Sequence, residues 1–467
     1  MRADDLAFMS AADLSGAIRT KQVSPVEVVG AVLDRIERLN PRLNAYCLVT
    51  GESARQEARE AEAAVMRADP LPPLHGVPIS VKDIVITRGV RTTFGSRIYE
   101  NNVPGEDAPL VARLKVAGGI MVGKTTTPEF GWKGVTDSPL FGITRNPWNL
   151  ERTPGGSSGG AAAAVAAGLA PLAVGTDGGG SIRIPGSFCG VFGLKPTCGL
   201  VPVYPAAATG TLTHMGPMSR TVRDAALMLQ VMAGPDDRDP LSLPSTSANF
   251  AAALEAGVRG LRVAWSPTLG YATVDPEVRA VTEAAAKRFQ GLGCRMDQVD
   301  RVFDDPDPIW APLFYGGIAG RLNDSLEEWR SRMDPGLVEA IEAGRKMGAM
   351  EFVKAGLARA SFFEVVRKFF TQYDLLLTPT LAVASFAAGF DQPRERGTGS
   401  GLAWVAFTYP FNLTGQPAAT VPCGFTRDGL PIGLQIIGKR LEDSTVLRAA
   451  AAYEAAAPWA DRRPPLE

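Results

Sequence analysis

Apolar positions in the first part of the chain repeat with the period of an α-helix. Five of them fall on one face of a single predicted helix: Val29, Val32, Leu33, Ile36 and Leu39. The preceding segment Ser24-Pro25-Val26-Glu27 is a capping box with proline at the first helical position. Pro41 is expected to end this helix, and a second, more polar helix is predicted over residues 52–67.

Farther along, short apolar runs alternate with helical segments. Residues 77–81 and 119–123 are predicted to be buried strands, with a short amphipathic helix over residues 108–117 between them. The alanine-rich stretch 161–170 is interpreted as a buried helix whose small side chains pack closely on a sheet. This alternation predicts an α/β fold with a largely internal sheet.

The same alternation continues to the end of the chain. Further strands are predicted at residues 261–265, 375–377, 418–421 and 431–437, and further helices at residues 221–232, 275–291 and 443–455. Asp428-Gly429, between the last two strands, is a strong β-hairpin signal. Residues 300–350 carry no clean strand signal and are the most irregular part of the pattern. Because no repeat or domain-sized linker interrupts the chain, a single large domain is expected.

Composition narrows the classes of function. The 467 residues include 48 basic and 49 acidic side chains, for a net charge of −1, so neither nucleic acid nor a membrane is an expected partner. Five cysteines without a C-x-x-C pair argue against a disulfide framework and a zinc site. The N-terminus is acidic where a signal peptide would be basic, and long apolar runs are missing from the sequence. A cytoplasmic protein is therefore expected.

Histidine, the usual catalytic base, is scarce. The chain contains only His75 and His214, each beside a turn that contains glycine and proline. Most hydrolytic triads use a histidine base, and most metal sites use histidine ligands. Both histidines are interpreted as structural, so a serine nucleophile in this chain needs a different base.

Two glycine-rich stretches are the first candidates for chemistry. They are Arg152-Thr-Pro-Gly-Gly-Ser-Ser-Gly-Gly160 and Val174-Gly-Thr-Asp-Gly-Gly-Gly-Ser-Ile-Arg-Ile-Pro185. Each places serine among consecutive glycines, which let the backbone turn tightly and bring N–H groups close to a bound atom. Both a phosphate-binding loop and a serine-based acyl-transfer site have this character.

A third stretch matches the phosphate-binding P-loop pattern, at Gly118-Gly-Ile-Met-Val-Gly123-Lys124-Thr125. That motif binds phosphate when a strand precedes the first glycine and a helix begins at the lysine. Here a predicted helix precedes it, the supposed loop is itself strand-like, and Pro128 follows. Nucleotide binding is therefore not expected.

Lys82 is the candidate base for a serine nucleophile. It lies at the end of the predicted buried strand 77–81, and burial lowers the pKa of a lysine from its ordinary value of about 10.4. A neutral amine then replaces histidine, as in Ser-Lys variants of the catalytic triad. A salt bridge to a nearby carboxylate explains Lys82 equally well, so the sequence leaves both interpretations open.

Four motifs together resemble those of the amidase signature family. They are Gly76-Val-Pro-Ile-Ser-Val-Lys-Asp83, Gly155-Gly-Ser-Ser-Gly-Gly160, Gly175-Thr-Asp-Gly-Gly-Gly-Ser-Ile-Arg183 and Gly190-Val-Phe-Gly-Leu-Lys-Pro-Thr197. The similarity also extends to Arg145-Asn-Pro-Trp-Asn149, Gly216-Pro-Met-Ser-Arg-Thr-Val222, Tyr373-Asp-Leu-Leu-Leu-Thr-Pro379 and Pro431-Ile-Gly-Leu-Gln435. It therefore covers most of the chain and is weakest between about 235 and 355.

The resemblance implies one amidase domain over residues 1–467, with a central mixed β-sheet covered on both faces by helices. Residues 1–70 would form N-terminal helices and residues 71–235 the signature core. Residues 236–370 would form a variable region around the substrate pocket, and residues 371–467 would return to the sheet.

The resemblance also assigns catalytic roles. Ser181 falls on the family's nucleophile, Ser157 on its second serine, which a cis peptide holds, and Lys82 on its base. In such a relay, neutral Lys82 takes a proton from Ser157, which takes one from Ser181 as Ser181 attacks the carbonyl carbon. The proton then returns to the leaving amine, and water hydrolyses the acyl-enzyme.

The loop that carries Ser181 has implied supporting roles. The backbone N–H groups of Gly178, Gly179, Gly180 and Ser181 would form the oxyanion hole, and side chains on the three glycines would block the approach of the carbonyl. Asp177, Arg183 and Ser158 are interpreted as groups that support the site without touching the substrate.

Two positions address which amide is cleaved. The family includes the glutaminase component of glutamyl-tRNA amidotransferase, in which an arginine binds the carboxylate of glutamine, and Arg359 occupies that position. The aspartate that would bind the glutamine amino group falls on Val405, and an apolar residue cannot pair with an ammonium group. The glutaminase is therefore the alternative, and Arg359 is interpreted as a structural ion-pair residue.

A stand-alone amidase with an apolar pocket is the favoured prediction. Its substrate would be an amide or anilide of a small or aromatic acid, with esters and carbamates also open to attack through the same acyl-enzyme. Candidate pocket residues, several of which could instead belong to the core, are Phe130, Trp132, Ile182, Trp310, Phe314, Tyr315, Trp404 and Phe407. No cofactor or metal is expected, and a homodimer is suggested by family analogy alone.

Overall fold

The computed structural model describes residues 2–245, 247–394 and 401–466, and these residues form an α/β fold. Their strands are β1 (Tyr46–Val49), β2 (Pro78–Lys82), β3 (Ile120–Thr125), β4 (Asp137–Ser138), β5 (Gly142–Ile143), β6 (Leu172–Asp177), β7 (Phe192–Lys195), β8 (His214–Ser219), β9 (Arg262–Trp265), β10 (Arg295–Gln298), β11 (Leu375–Pro379), β12 (Ala418–Phe425) and β13 (Pro431–Gly438). Their α-helices are α1 (Ala3–Ala7), α2 (Ala11–Arg19), α3 (Pro25–Leu43), α4 (Gly51–Arg67), α5 (Pro109–Val116), α6 (Gly159–Ala166), α7 (Arg183–Cys189), α8 (Val222–Met232), α9 (Phe250–Ala253), α10 (Pro276–Gly291), α11 (Asp307–Leu322), α12 (Leu326–Trp329), α13 (Pro335–Lys346), α14 (Ala349–Gln372), α15 (Pro410–Thr414) and α16 (Asp443–Ala456).

One large mixed sheet organises the fold. Eleven of the described strands lie in the order β1-β3-β2-β6-β8-β7-β12-β13-β11-β9-β10, and β4 and β5 form a separate ribbon. Strand β2 is parallel to β3 and β6, and β9 is parallel to β10 and β11. The strands between these two parallel groups pair antiparallel. The predicted single domain with a central mixed sheet is confirmed.

Both faces of the sheet are buried under helices. On β13, Leu434 and Ile436 belong to one apolar cluster, while Ile437 belongs to another on the opposite face, as the two-residue period of a strand requires. Helices α8 and α16 contribute to the first cluster, and α11 and α13 contribute to the second. Within the described ranges, no helix has both the length and the apolar character needed to cross a membrane.

The start of the first long helix follows its sequence signal, but its end does not. The Ser24 hydroxyl accepts a hydrogen bond from the N–H of Val26, and Glu27 accepts one from the N–H of Ser24, which confirms the capping box. Helix α3 continues past Pro41 to Leu43. Proline in the last turn removes a single backbone N–H, and the helix instead ends at Asn44, whose left-handed φ of 51° turns the chain away.

Two C-terminal predictions had different outcomes. Strands β12 and β13 pair antiparallel across Asp428-Gly429, so the predicted hairpin is confirmed. The region 300–350, in contrast, is mostly helical, in α11, α12 and α13. Helix α11 contains Pro312 and three glycines, residues of low helix propensity, and these interrupted its helical pattern in the sequence.

Candidate active site

Two parallel strands bring the candidate catalytic residues to one edge of the sheet. Lys82 ends β2, and Asp177 ends the neighbouring strand β6. Val81 pairs with Val174, so the carboxyl ends of both strands lie at the same edge. The loop after β6 carries Ser181 into helix α7, while Ser157 lies two residues before helix α6.

Lys82 is fully buried, and its amine contacts hydroxyl groups. Its Nζ lies 2.6 Å from Ser157 Oγ, 3.0 Å from Ser158 Oγ and 2.8 Å from Thr176 Oγ1. No carboxylate forms a salt bridge with Lys82 among the described residues, so the salt-bridge interpretation is wrong. Burial holds the pKa of Lys82 well below its ordinary value, although the charge of Asp177 opposes this shift. The neutral amine that a base requires is therefore favoured.

The two neighbouring serines differ in their remaining contacts. The Ser158 hydroxyl donates to the carbonyl of Thr176 at 3.1 Å, and its proton is therefore engaged. The Ser157 hydroxyl has no partner but Lys82 within the described residues, so its proton is free to bond to the lone pair of the amine. The Gly156–Ser157 peptide is cis, as the family resemblance implied. A Cβ on Gly156 would lie 2.3 Å from the carbonyl oxygen of Val135, which explains the glycine there.

Ser181 lies in front of this pair. Its hydroxyl makes no hydrogen bond to any described residue and faces a cavity that Ser157 also lines. Its carbonyl accepts a hydrogen bond from the N–H of Ser158 at 3.1 Å, which links the two serine-bearing loops directly. Lys82 and Ser157 are therefore in contact, and Ser181 lines the same cavity as Ser157.

A buried ion pair fixes the loop that carries Ser181. The Asp177 and Arg183 side chains are completely buried and 2.8 Å apart. Asp177 also accepts hydrogen bonds from the N–H groups of Gly180 and Ile182. Burial acts against its negative charge, but the Arg183 guanidinium holds the pKa of Asp177 below its ordinary value. Asp177 and Arg183 do not line the cavities at Ser181 described here, which agrees with a supporting role.

The same contacts select which backbone N–H groups are free. The N–H of Gly180 donates to Asp177 at 2.7 Å, so the prediction that it belongs to an oxyanion hole does not match its contact. The carbonyls of Gly178 and Gly179 accept hydrogen bonds from Trp310 Nε1 and Thr408 Oγ1. The N–H groups of Gly178, Gly179 and Ser181 have no acceptor among the described residues, and they remain available to an oxyanion.

The glycines are also required by packing. A Cβ on Gly179 would lie 2.6 Å from the Trp310 ring, and one on Gly180 would lie 2.4 Å from Thr408 Oγ1. At Gly178 the nearest atom, in Phe314, would be 3.4 Å away, an ordinary contact. The expectation that all three glycines simply leave room for the substrate is therefore incomplete, since two of them make room for neighbouring side chains.

Ser181 lies where two cavities meet. The smaller cavity, of about 120 Å³, is bounded by Ser157, Thr176, Phe94, Met215, Ile318 and residues 203–209. The larger, of about 470 Å³, is bounded by Gly179, Lys133, Glu339, Ala340 and Asp391. Gly131, Ser181 and Phe314 line both cavities, so the nucleophile is accessible from two sides.

Most of the predicted pocket residues line these cavities. Phe130 lines the smaller one, Phe314 lines both, and four residues line the larger one: Trp132, Trp310, Tyr315 and Trp404. Ile182 is wrong as a pocket residue, because it is fully buried and packs against Gly175 and Gly193 behind the loop. Phe407 is likewise completely buried in the core and lines neither cavity.

Sequence reasoning missed several walls of the cavities. Residues 203–209 and the charged group around Lys133 carried no motif and were not predicted. Lys133 lies within 3.1 Å of three carboxylates, those of Asp137, Asp334 and Asp391. Asp137 is only four residues from Lys133, but Asp334 and Asp391 are far away in the chain, so the sequence does not indicate the full cluster.

Arg359 belongs to neither cavity. Its guanidinium donates to the carbonyls of Leu413, Asn412 and Thr211 and to the Thr211 hydroxyl, and it lines a separate surface groove. It forms no salt bridge within the described part of the chain, so the ion-pair interpretation is wrong, and backbone carbonyls are its partners. Val405 does line the larger cavity.

The P-loop match and the two histidines are part of the scaffold. Residues 120–125 form strand β3, and the amine of Lys124 donates to the carbonyl of Val85. His75 contacts the carbonyl of Ala61, and His214 contacts that of Leu212. Neither histidine lines the two cavities at Ser181.

The chain is similar in sequence and in fold to proteins of known function. A sequence model of the Amidase family matches residues 27–447. The chain is 41% identical over 477 aligned positions to an acylamidase of Rhodococcus erythropolis, covering 99% of this chain and 98% of that protein. It is 37% identical over 490 positions to the A subunit of the glutamyl-tRNA(Gln) amidotransferase of Moorella thermoacetica, covering 99% of both proteins. The crystal structure of a bacterial aryl acylamidase of the amidase signature family superposes with a TM-score of 0.90 at 34% identity, covering 97% of both chains.

Together with these matches, the cavity that Ser157 and Ser181 line beside the buried Lys82 identifies a hydrolase that acts on carbon–nitrogen bonds. The chain belongs to the amidase signature family, and it is an amidase.

Proposed function

We propose that this amidase is a stand-alone acylamidase, which cleaves an amide or anilide of a small or aromatic acid through an acyl-enzyme on Ser181. The contact that carries this proposal is the 2.6 Å approach of Lys82 Nζ to Ser157 Oγ in a fully buried setting. A buried amine without a carboxylate partner is held neutral, and a neutral amine beside a hydroxyl is a general base.

The proton path follows from these contacts. Lys82 accepts the proton of Ser157, Ser157 accepts that of Ser181, and Ser181 Oγ forms a bond to the substrate carbonyl carbon. The resulting oxyanion is bound by the N–H groups of Gly178, Gly179 and Ser181, of which each typically contributes about a hundredfold or more in rate. The proton then returns from Lys82 through Ser157 to the leaving nitrogen, the C–N bond breaks, and water hydrolyses the ester to Ser181.

The similarity to acylamidases supports an amide or anilide substrate. An ester of the same acid would form the same acyl-enzyme, because only the leaving group differs, and a carbamate would form an alkoxycarbonyl-enzyme on Ser181 as its amine leaves. Urethane cleavage is therefore included in the proposal.

The glutaminase alternative has less support. Of the described residues that line the two cavities, the cations are Lys133 and Arg321. Lys133 is held by three carboxylates, and Arg321 donates to the carbonyl of Ala206. Lys133 is thus occupied by anionic partners, and Arg359, at the position of the glutamine-binding arginine, binds backbone carbonyls outside both cavities.

All five cysteines are free thiols, which supports the proposed cytoplasmic location. A homodimer stays the proposed assembly. Size-exclusion chromatography of the purified chain tests it, and co-purification of unrelated partner chains would instead favour a component of an amidotransferase.

Labelling with a sulfonyl fluoride tests the nucleophile. Mass spectrometry is expected to find one adduct, on Ser181, and Ser181→Ala is expected to lose both the label and hydrolysis of a nitroanilide. Ser158→Ala serves as the matched control and should retain the label. An adduct on another residue, or full activity in Ser181→Ala, would contradict the mechanism.

A further inference from the structure

The two cavities at Ser181 differ in which catalytic groups they contain. Ser157 and Thr176, both partners of Lys82, line the smaller cavity and not the larger one. Ser181 lines both. Only the smaller cavity therefore gives a bound group direct access to the hydroxyl that Lys82 contacts.

Because Ser157 lines only one of the two cavities, the chemistry of amide cleavage determines how the substrate must be oriented. In the tetrahedral intermediate, the acyl group and the nitrogen extend from the carbon in different directions. The nitrogen must receive a proton before the C–N bond breaks, and the donor must lie within hydrogen-bond distance of it. Since Ser157 Oγ is that donor in the proposed mechanism, the nitrogen must point into the cavity that Ser157 lines.

We propose that the smaller cavity binds the leaving amine and the larger cavity binds the acyl group. This inference rests on the proposed function and assigns the specificity of its two substrate halves. Besides Ser181, the residues that line both cavities are Gly131 and Phe314, which we call the divider.

The part of the divider around Gly131 is held by local contacts. Phe130 and Gly131 both have left-handed φ values, of 52° and 70°, and the buried carboxylate of Glu129 accepts hydrogen bonds from the Ser96 hydroxyl and the N–H of Asp334. A Cβ on Gly131 would lie 2.9 Å from Ile84 and 3.2 Å from Ser157 Oγ. The position of the divider beside Ser157 therefore depends on glycine, and a shift of this loop would merge or close the cavities.

The walls define the two halves of the substrate. The smaller cavity, about 120 Å³, is mainly apolar, with Phe94, Met215, Ile318 and Leu322 among its walls. The larger, about 470 Å³, combines aromatic rings with charged groups such as Lys133 and Glu339. The preferred substrate is therefore an amide of a compact amine, such as an aniline, with a larger acyl half.

A two-way substrate series tests the assignment on the intact protein. Starting from acetanilide, the acyl half is enlarged to hexanoyl and phenylacetyl, and the amine half is enlarged to naphthylamine and 4-aminobiphenyl. Acyl enlargement is expected to change kcat/KM by less than about tenfold, and amine enlargement to lower it by about a hundredfold, the order of discrimination that a misfit in an apolar pocket gives. The reverse ranking would overturn the assignment.

Two matched substitutions then locate the effect. Ala207→Phe narrows the smaller cavity, and Ala340→Phe narrows the larger one; both alanines are half-buried in cavity walls. Because the acyl-enzyme retains only the acyl half, Ala207→Phe should slow acylation by bulky anilides much more than it slows hydrolysis of the hexanoyl-enzyme. Ala340→Phe should slow both steps for the hexanoyl group.

Different outcomes would contradict the cavity assignment and the proposed function. If Ala207→Phe slows deacylation while Ala340→Phe does not, or if both act alike on the two steps, the cavity assignment is wrong. If no acyl-enzyme forms on Ser181 with any substrate, the proposed function itself fails. Thermal melting identifies a misfolded variant, and Ala207→Leu and Ala340→Leu are the milder pair that replaces it.

Discussion

Lys82 and Lys124 are two buried lysines on neighbouring strands with different surroundings. Strands β2 and β3 are parallel, with Val81 paired to Lys124 and Lys82 paired to Thr125. Both lysine side chains are fully buried, and burial lowers the pKa of both, that of Lys124 to about 8. A lowered pKa is therefore common to the two sites and does not by itself produce a base.

The difference lies in the partners of each amine. Lys82 contacts Ser157, whose hydroxyl borders a cavity, whereas Lys124 contacts the carbonyl of Val85 and the hydroxyls of Thr87 and Thr92. None of these three partners of Lys124 lines either cavity at Ser181. A neutral lysine can act as a base here only where one of its hydroxyl partners can pass a proton onward to a substrate.

The largest expected effect separates the two lysines directly. Lys82→Met should lower kcat for anilide hydrolysis by about 10⁴-fold, since a positioned acid–base group contributes up to that factor. Lys124→Met, its matched control, should keep kcat within about tenfold of the wild type, because its amine donates only to scaffold groups. Steady-state kinetics on folded protein measures both. Equal losses of kcat in the two variants would contradict a role as base for Lys82 that Lys124 lacks.

The next comparison is between the two serines at Lys82. Ser157→Ala should lower kcat/KM for anilides by about 10³-fold, because it removes the hydroxyl that relays the proton. Ser158→Ala removes one hydrogen bond to Lys82 and one to the carbonyl of Thr176, and a loss of about tenfold is expected. Nitrophenyl esters, whose leaving group needs no proton, should be much less sensitive to Ser157→Ala than anilides are. A larger effect of Ser158→Ala would exchange the proposed roles.

These comparisons also show what the sequence could predict. The strand that ends at Lys82 followed from a local apolar pattern, whereas strand β6, which ends at Asp177, was not predicted. The family motifs supplied Ser157 and Ser181 as the candidate serines. Dense local signals of this kind describe short-range structure well.

What the sequence missed depended on contacts between distant segments. Ile182 is next to Ser181 in sequence, but it points into the core because Asp177 binds its N–H and fixes the turn. The partners of Arg359 are carbonyls 53, 54 and 148 residues away. No local pattern specifies such pairings, and the same holds for the contacts of Lys133 with Asp334 and Asp391.

A pH profile tests the state of Lys82 itself. The base must be unprotonated to accept the proton of Ser157, so kcat/KM should fall about tenfold per pH unit below the pKa of Lys82 in the free enzyme. Because burial lowers that pKa, the acid limb of the profile should lie well below 10.5, the ordinary value. An activity that rises only above pH 10 would mean that Lys82 is charged and that another group is the base.

The smallest effect, on stability, concerns Lys124. Its pKa is about 8 in the folded chain against an ordinary 10.5, so between these values the unfolded chain binds more protons than the folded one, and stability rises with pH. This contribution is lost in Lys124→Met. The free energy of unfolding of the wild type should therefore gain about 3 kcal/mol on the variant between pH 7.5 and pH 10.5, measured by urea titration at each pH. The other buried lysines are present in both proteins and cancel in the difference. If the difference in free energy of unfolding between the two proteins stays constant with pH, Lys124 keeps its charge over this range. Burial alone would then not explain a lowered pKa at both lysines.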